Sequence, residues 1–262
     1  MTESSVKLSV LLEGLVGTSP LPSIELKGLV LDSRLVNPGT AFVAVQGSAS
    51  HGVEFAEKAL SLGALVVLHD GFAELPEHGD SANYIEVVDL HEKLGIIAQR
   101  FYKTASLSIP CIAVTGTNGK TSITRFAAQL SHGLNHAAGV MGTLGFGIWP
   151  NIVASKNTTP ELAVLLRQFS RMKAQGAEHV MMEVSSHGIA QKRIEGLQFE
   201  SAVFSNLSQD HLDYHGTMED YFHTKRSLFL APNLKHAVIN VDDEYGQRLM
   251  ADPAITAEKM SY

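Results

Sequence analysis

The sequence predicts an α/β fold: two successive domains, each built around a mainly parallel sheet. Three observations carry this reading. Short apolar runs alternate with stretches of helical periodicity along the chain, the pattern of strands joined by crossover helices. The length, 262 residues, suits two domains of ordinary size. In the second half an apolar strand over 111–115 runs into a glycine-rich turn from which a helix leaves.

Composition narrows the class. Apolar residues make up 45% and charged residues 18%, enough for a real core. The net charge of -7 argues against a nucleic-acid binder, which needs a basic footprint. Any anionic ligand must be held by local cations and backbone N–H groups. Cys111 is the single cysteine, so no intrachain disulfide forms, and its apolar surroundings suit a core residue. No run approaches the roughly 20 apolar residues of a membrane span. Glu3 and Glu13 flank a short apolar stretch that lacks the basic start of a signal peptide. A cytoplasmic protein without membrane or nucleic-acid partners is expected.

In the first part, 29–31 and 41–45 read as strands, and 53–62 as a helix stopped by Gly63. Strands follow at 64–68 and 84–88, then a helix over 91–102 with Leu94, Ile97, Ala98 and Phe101 on one face. The Ser, Thr and Pro of 103–110 mark a boundary, which divides the chain into 1–106 and 107–262. Beyond it, strands are expected at 111–115, 179–184, 201–205 and 237–241. Helices are expected at 120–134, 161–175 and 218–230.

The clearest motif is Thr115-Gly116-Thr117-Asn118-Gly119-Lys120-Thr121-Ser122. A strand, a glycine-rich turn and a helix N-terminus converge backbone N–H groups and the helix dipole on an anion. Lys120 would reach the β- and γ-phosphates, and the Thr121 hydroxyl would face Mg²⁺. Val114 stands where the general phosphate-loop pattern has its first glycine, which weighs against the common GTPases and kinases. The helix that follows carries Ile123, Phe126, Ala127, Leu130 and Leu134 on one face.

Three polar clusters lie at or beside strand ends, where open α/β sheets collect ligands. In 157–161, Thr159 either caps the helix that Pro160 opens or binds a ligand. In 182–188, Glu183 suits a hard cation, and Arg193 just beyond suits a carboxylate or phosphate. The Asp-His-x-Asp group at 210–213 fits a metal or proton-transfer site equally with a helix cap or surface loop. Lys225 falls within the apolar stripe of a helix begun by Thr217, between Tyr221, Phe222, Leu228 and Phe229. Either its stem lies on apolar surface with the head in water, or burial favours its neutral amine, which can react with CO₂.

Taken together, these motifs resemble the Mur ligases of bacterial cell-wall synthesis. The resemblance rests on Val-Thr-Gly-Thr-Asn-Gly-Lys-Thr at 114–121, Val-Met-Gly-Thr-Leu-Gly at 140–145, 157–161, 182–188 and 206–218. Leu31-Asp32-Ser33-Arg34 and the segment 42–52 join them upstream. It implies a UDP-binding first domain and a P-loop-type ATPase second domain, incomplete at its C-terminal side, with a third, amino-acid-binding domain not contained in this sequence. It implies that Leu31, Ser33, Ser48, Ala49 and Ser50 contact UDP, and that Gly116, Thr117, Asn118, Gly119, Lys120, Thr121 and Ser122 bind ATP. Asn157, Thr158, Thr159, Ser185, Gln191 and Arg193 would bind a muramyl dipeptide. Thr121, Glu183, His211 and a carbamylated Lys225 would hold Mg²⁺, with Lys120, Lys225 and His211 as the catalytic set.

The implied reaction is ATP-dependent amide formation. A monomeric enzyme would join meso-2,6-diaminopimelate or L-lysine to UDP-N-acetylmuramoyl-L-alanyl-D-glutamate through an acyl phosphate. A folylpolyglutamate synthetase-like ligase shares a similar phosphate loop, but the residues that fit a UDP site weigh against it. A non-catalytic module holding nucleotide or nucleotide-sugar is the alternative of another class.

Overall fold

A computed structural model describes residues 5–17, 20–46, 50–71, 83–102, 109–154, 158–195 and 197–262. The chain forms two compact units, Met1–Thr104 and Ala105–Tyr262. Among the described residues, no helix is long and apolar enough to cross a membrane.

The first unit opens with β1 (Val6–Lys7), α1 (Leu8–Leu11) and β2 (Glu25–Leu26), where β1 and β2 pair antiparallel. Then come β3 (Gly28–Val30), β4 (Thr40–Ala44), α2 (Ala56–Ser61), β5 (Val66–His69), β6 (Tyr84–Glu86) and α3 (Leu90–Phe101). Strands β3-β4-β5-β6 lie in that order in one parallel sheet. All of β4 and β5 is buried, as expected for inner parallel strands covered on both faces. Phe42, Val53, Ala56, Ala59 and Val67 form the core beneath α2. The expected helix over 53–62 is a 3₁₀ turn at Gly52–Phe55 followed by α2. Helix α3 buries the expected Leu94, Ile97, Ala98 and Phe101, and Leu90 with them.

The second unit contains β7 (Cys111–Thr115), α4 (Lys120–Gly133), β8 (Ala138–Gly142), β9 (Gly145–Ile148), β10 (Asn151–Val153) and α5 (Leu162–Ala174). It continues with β11 (His179–Glu183), α6 (Ser186–Ala190), β12 (Ser201–Phe204), α7 (Leu212–His215) and α8 (Met218–Arg226). It ends with β13 (His236–Ile239), α9 (Glu244–Ala251) and β14 (Glu258–Ser261). The sheet order is β10-β9-β8-β11-β7-β12-β13-β14, parallel from β8 to β14 with an antiparallel edge at β9 and β10. The chain thus crosses β7 between β11 and β12. That reversal opens a crevice at the carboxyl ends of β7, β11 and β12, the usual place for a ligand in an open α/β sheet.

Two features depart from the sequence reading. The antiparallel edge β8–β10 carries no strong alternating pattern, since four glycines interrupt it. The apolar face read for α4 is largely outward: Phe126 is 62% exposed, Leu130 71% and Leu134 71%. The sheet side is instead Thr124, Ala128 and Ser131. The cause is rotational. Lys120 heads the same face as positions 124, 128 and 131, so aiming the loop lysine inward turns that face to the sheet. Ala128 packs there on Ala138, Val140 and Met181.

This packing predicts an asymmetry, measured by urea unfolding with emission from Trp149, the single tryptophan and a second-unit residue. Leu130→Gln should change stability by less than about 0.5 kcal/mol. Ala128→Leu should cost about 1–3 kcal/mol by overpacking. A larger loss in Leu130→Gln would place the stripe in the core.

Candidate functional site

The crevice is assembled from the phosphate loop outward. Gly116 has φ +144°, and a Cβ there would meet the Ser205 Oγ at 2.0 Å, so the turn needs glycine. The loop is latched to the residues after β12. Thr117 N–H donates to the Asn206 carbonyl at 2.8 Å, and Asn118 N–H to Asn206 Oδ1 at 3.0 Å. Ser205 Oγ donates to the Asn118 carbonyl at 2.6 Å, and Ser208 N–H to Thr117 Oγ1 at 3.0 Å. No side chain caps α4 at Gly119. Its first-turn N–H groups and the positive end of its dipole therefore form an anion site.

Two lysines share one acceptor beside this loop. Lys120 Nζ donates to the carbonyls of Gly116 and Thr117, both at 2.9 Å. Lys225 Nζ donates to the same Gly116 carbonyl at 3.0 Å. Lys225 is 1% exposed and stands 4.6 Å from the centre of the Tyr221 ring. Its head does not reach water, which removes the alternative of a surface lysine. Burial first, then the charge of Lys120, pushes its pKa down to about 7, with Asp210 opposing. Burial also lowers the pKa of Lys120, against the pull of Glu183 and Asp210.

Glu183, at the end of β11, is the buried carboxylate of the site at 1% exposure. Its Oε2 accepts from the Thr121 hydroxyl at 2.9 Å and from the Thr143 hydroxyl at 3.0 Å. Its Oε1 accepts from Thr143 N–H at 3.0 Å. A carboxylate offers about four acceptor positions, so room for a cation remains. Thr121 and Glu183 supply adjacent hard oxygens, the donor chemistry of a Mg²⁺ that keeps most of its water. Gly142 lies against this carboxylate: a Cβ there would stand 2.0 Å from Oε1 and 2.6 Å from Cγ. Among the described residues, no three His, Cys, Asp or Glu side chains gather as a metal cluster.

The second polar group adjoins Glu183. Thr159 Oγ1 donates to the Glu183 carbonyl at 3.2 Å and accepts from Ser185 N–H at 3.0 Å. It does not cap α5, whose N-cap is Glu161 with no side-chain bond. Ser185 caps α6 instead, accepting from Gly188 N–H. Arg193 donates to the Thr159 carbonyl at 2.8 Å and to Gln191, and pairs with Glu161 at 3.1 Å. Thr158 meets Thr143, hydroxyl to hydroxyl, at 3.0 Å.

Not every expected residue joins this network. His211 is half-exposed, with its ring 4.7 Å from that of His187 and Nε2 3.4 Å from Asp210. The Glu183 carboxylate bonds Thr121 and Thr143, whereas Lys225 bonds the Gly116 carbonyl and His211 stands beside Asp210. Ser122 is exposed on the first turn of α4. Leu31, Ser33 and Ser50 belong to the first unit, where Ser33 is buried in a 3₁₀ turn. Ser48, Ala49 and Asn157 lie outside the described residues. The sequence reading assigned no role to Thr143, Tyr221 or Asn206.

A cavity of about 240 Å³ adjoins Thr121 and Glu183 and reaches Arg125, which lies 5.4 Å from the Trp149 ring centre. A larger one, about 630 Å³, lies in the first unit between residues 15–17 and 20–22 on one side and β6 on the other, and none of the expected site residues lines it.

Comparison with known proteins bears on this arrangement. The model of the Mur ligase middle domain matches residues 114–262, and that of the Mur ligase family catalytic domain matches 25–102. A UDP-N-acetylmuramoyl-L-alanyl-D-glutamate--2,6-diaminopimelate ligase of Xanthomonas campestris pv. campestris (strain 8004) is 42% identical over 238 residues. The match covers 89% of this chain and 48% of that one. The ligase of the same name from Ectopseudomonas mendocina (strain ymp) is 43% identical over 233 residues, 87% of this chain and 48% of its own. A solved structure of a ligase of that name superposes with a TM-score of 0.80 at 35% identity. It covers 99% of this chain and 52% of that one. The chain spans about half the length of the curated relatives it matches.

Two predictions follow from the geometry. Gly142→Ala should displace the Glu183 side chain and cost about 1–3 kcal/mol in urea unfolding. A stability unchanged from wild type would show that the carboxylate is not fixed there. The second concerns pH. An unfolded lysine titrates near 10.4. From about pH 7 upward, folded Lys225 is increasingly neutral while the unfolded residue keeps its proton. Stability should therefore rise with pH through this window, by up to about 1.4 kcal/mol per pH unit. Lys225→Met should flatten that rise in bicarbonate-free buffer, and equal slopes in the two proteins would refute the depressed pKa.

Proposed function

The chain belongs to the Mur ligase family, and we propose that it carries the nucleotide- and acceptor-binding part of a ligase that extends UDP-N-acetylmuramoyl-L-alanyl-D-glutamate. The incoming amino acid is meso-2,6-diaminopimelate, in keeping with the relatives' names, with L-lysine as the alternative. The observation that carries the reading is the Thr121–Glu183 contact of 2.9 Å. It puts a buried carboxylate beside the first turn of an uncapped phosphate-loop helix.

In this reading ATP lies with its phosphates at the amino end of α4, held by N–H groups of 116–122 and by Lys120. Thr121 and Glu183 would hold Mg²⁺, which would supply charge neutralisation on the triphosphate; His211 and a carbamylated Lys225, neither of which bonds Glu183, would complete the set. Lys225, with its amine partly neutral near pH 7, adds to CO₂, losing a proton to solvent as the N–C bond forms. The resulting carbamate offers an oxygen where the free ammonium cannot.

The acceptor's free carboxylate attacks the γ-phosphorus of ATP, giving an acyl phosphate and ADP. The amine of the amino acid then attacks the acyl carbon and expels phosphate. The protein contributes positioning and electrostatic stabilisation. Arg193, Gln191, Ser185, Thr158 and Thr159, with Asn157, orient the dipeptide. Leu31, Ser33 and Ser48–Ser50 of the first unit take the uridine diphosphate. The ligase works in the cytoplasm as a monomer.

Thermal melts of the chain test this. Saturating UDP-N-acetylmuramoyl-L-alanyl-D-glutamate should raise stability by about 2.7 kcal/mol at a hundredfold excess over Kd. A folate substrate should do nothing. A shift with the folate alone would move the acceptor assignment to the folate ligases, and cooperative melts without a shift by either would remove it.

A further inference from the structure

Thr143 stands in the loop between β8 and β9 and is bonded to both oxygens of one buried carboxylate. Its N–H meets Glu183 Oε1, and its hydroxyl meets Oε2, each at 3.0 Å. The hydroxyl has a single proton, which is spent on Glu183. At the contact with Thr158 the Thr158 hydroxyl must therefore donate, and Thr143 accept. A directed chain results, from Thr158 to Thr143 to Glu183. Gly142 completes the seat, since only a residue without a Cβ lets the strand end approach the carboxylate this closely.

The alternative holder of Glu183 is Thr121, but its hydroxyl is itself the expected cation ligand. When a hydroxyl turns its lone pair to a cation, its geometry towards the carboxylate changes. Thr143 is then the partner that still constrains both oxygens. Groups that orient a ligand in this way commonly change metal affinity by tenfold to a hundredfold when removed.

We propose that Thr143 is a positioning residue for the cation–nucleotide site, acting through Glu183 and not by direct contact with nucleotide. This rests on the nucleotide-site reading given above. It predicts a specific pattern in calorimetric titrations of the chain with ADP, run with and without Mg²⁺. Wild type should bind ADP more tightly with Mg²⁺. Thr143→Val, of nearly equal volume, should lose about tenfold or more of that gain. Its affinity for ADP without Mg²⁺ should stay near wild type, while its melting temperature falls modestly because a buried carboxylate loses one donor. Thr143→Ser, which restores the hydroxyl, should recover the Mg²⁺ gain.

A role in packing alone would lower stability without this Mg²⁺-selective loss. Should Thr143→Val not melt cooperatively, Thr143→Ala compared with Thr143→Ser gives the same contrast. Equal Mg²⁺ dependence in wild type, valine or alanine, and serine forms overturns the role of Thr143 while leaving the nucleotide site standing. Wild-type chain that binds ADP without any Mg²⁺ dependence would overturn the cation reading itself, and this role with it.

Discussion

The amino end of α4 has to remain uncapped, and much of the second unit follows from that. An open helix start is costly unless something meets its N–H groups, so the loop before it must be held from elsewhere. Residues 205–208 do this from the end of β12. That latch requires β12 beside β7, which the sheet order supplies. It also requires Gly116, because Ser205 occupies the space of any Cβ. The same constraint fixes the rotation of α4. With Lys120 turned inward, the small residues in phase with it meet the sheet and the large ones point outward.

The second organising feature is Glu183. A carboxylate this deeply buried is unfavourable unless its oxygens are hydrogen-bonded. Three donors engage them here, two from Thr143 and one from Thr121. The antiparallel edge β8–β10 thereby gains a purpose beyond extending the sheet. The turn from β8 into β9 brings the backbone N–H of Thr143 to a carboxylate at the end of β11, the neighbouring strand in the sheet, across the parallel pairing of β8 with β11.

How much was legible in sequence follows the same division. The strand, turn and helix around 111–134 could be read because each level agreed: β-branched strand, glycines, then Lys-Thr. Helical spacing set Lys225 among aromatic and aliphatic neighbours but left open whether its head reaches water, and only its burial in the fold decides that. The rotation of α4 could not be read, since periodicity shows that a helix has an apolar face and not that the face is used. Thr159 looked like a cap because Pro160 follows it, yet its hydroxyl goes to β11, a partner 24 positions on that local spacing cannot reveal. Thr143 was missed for the same reason: its partner is 40 residues away and known only through the sheet register.

The two lysines on the Gly116 carbonyl press the functional argument furthest. An apolar residue of similar length would fill the space beside Tyr221 without desolvating a charge, and such replacements of buried ions are often neutral or stabilising. A second lysine sharing one acceptor adds like-charge repulsion to that cost. Packing therefore gives no reason for Lys225 to be a lysine. The proposed carbamate would supply one: burial and the neighbouring Lys120 both favour the neutral amine, the form that reacts as a nucleophile. The lysine sits where an anionic ligand on the loop would relieve the repulsion between the two ammoniums, so loading the site and settling the charge of Lys225 are parts of one equilibrium.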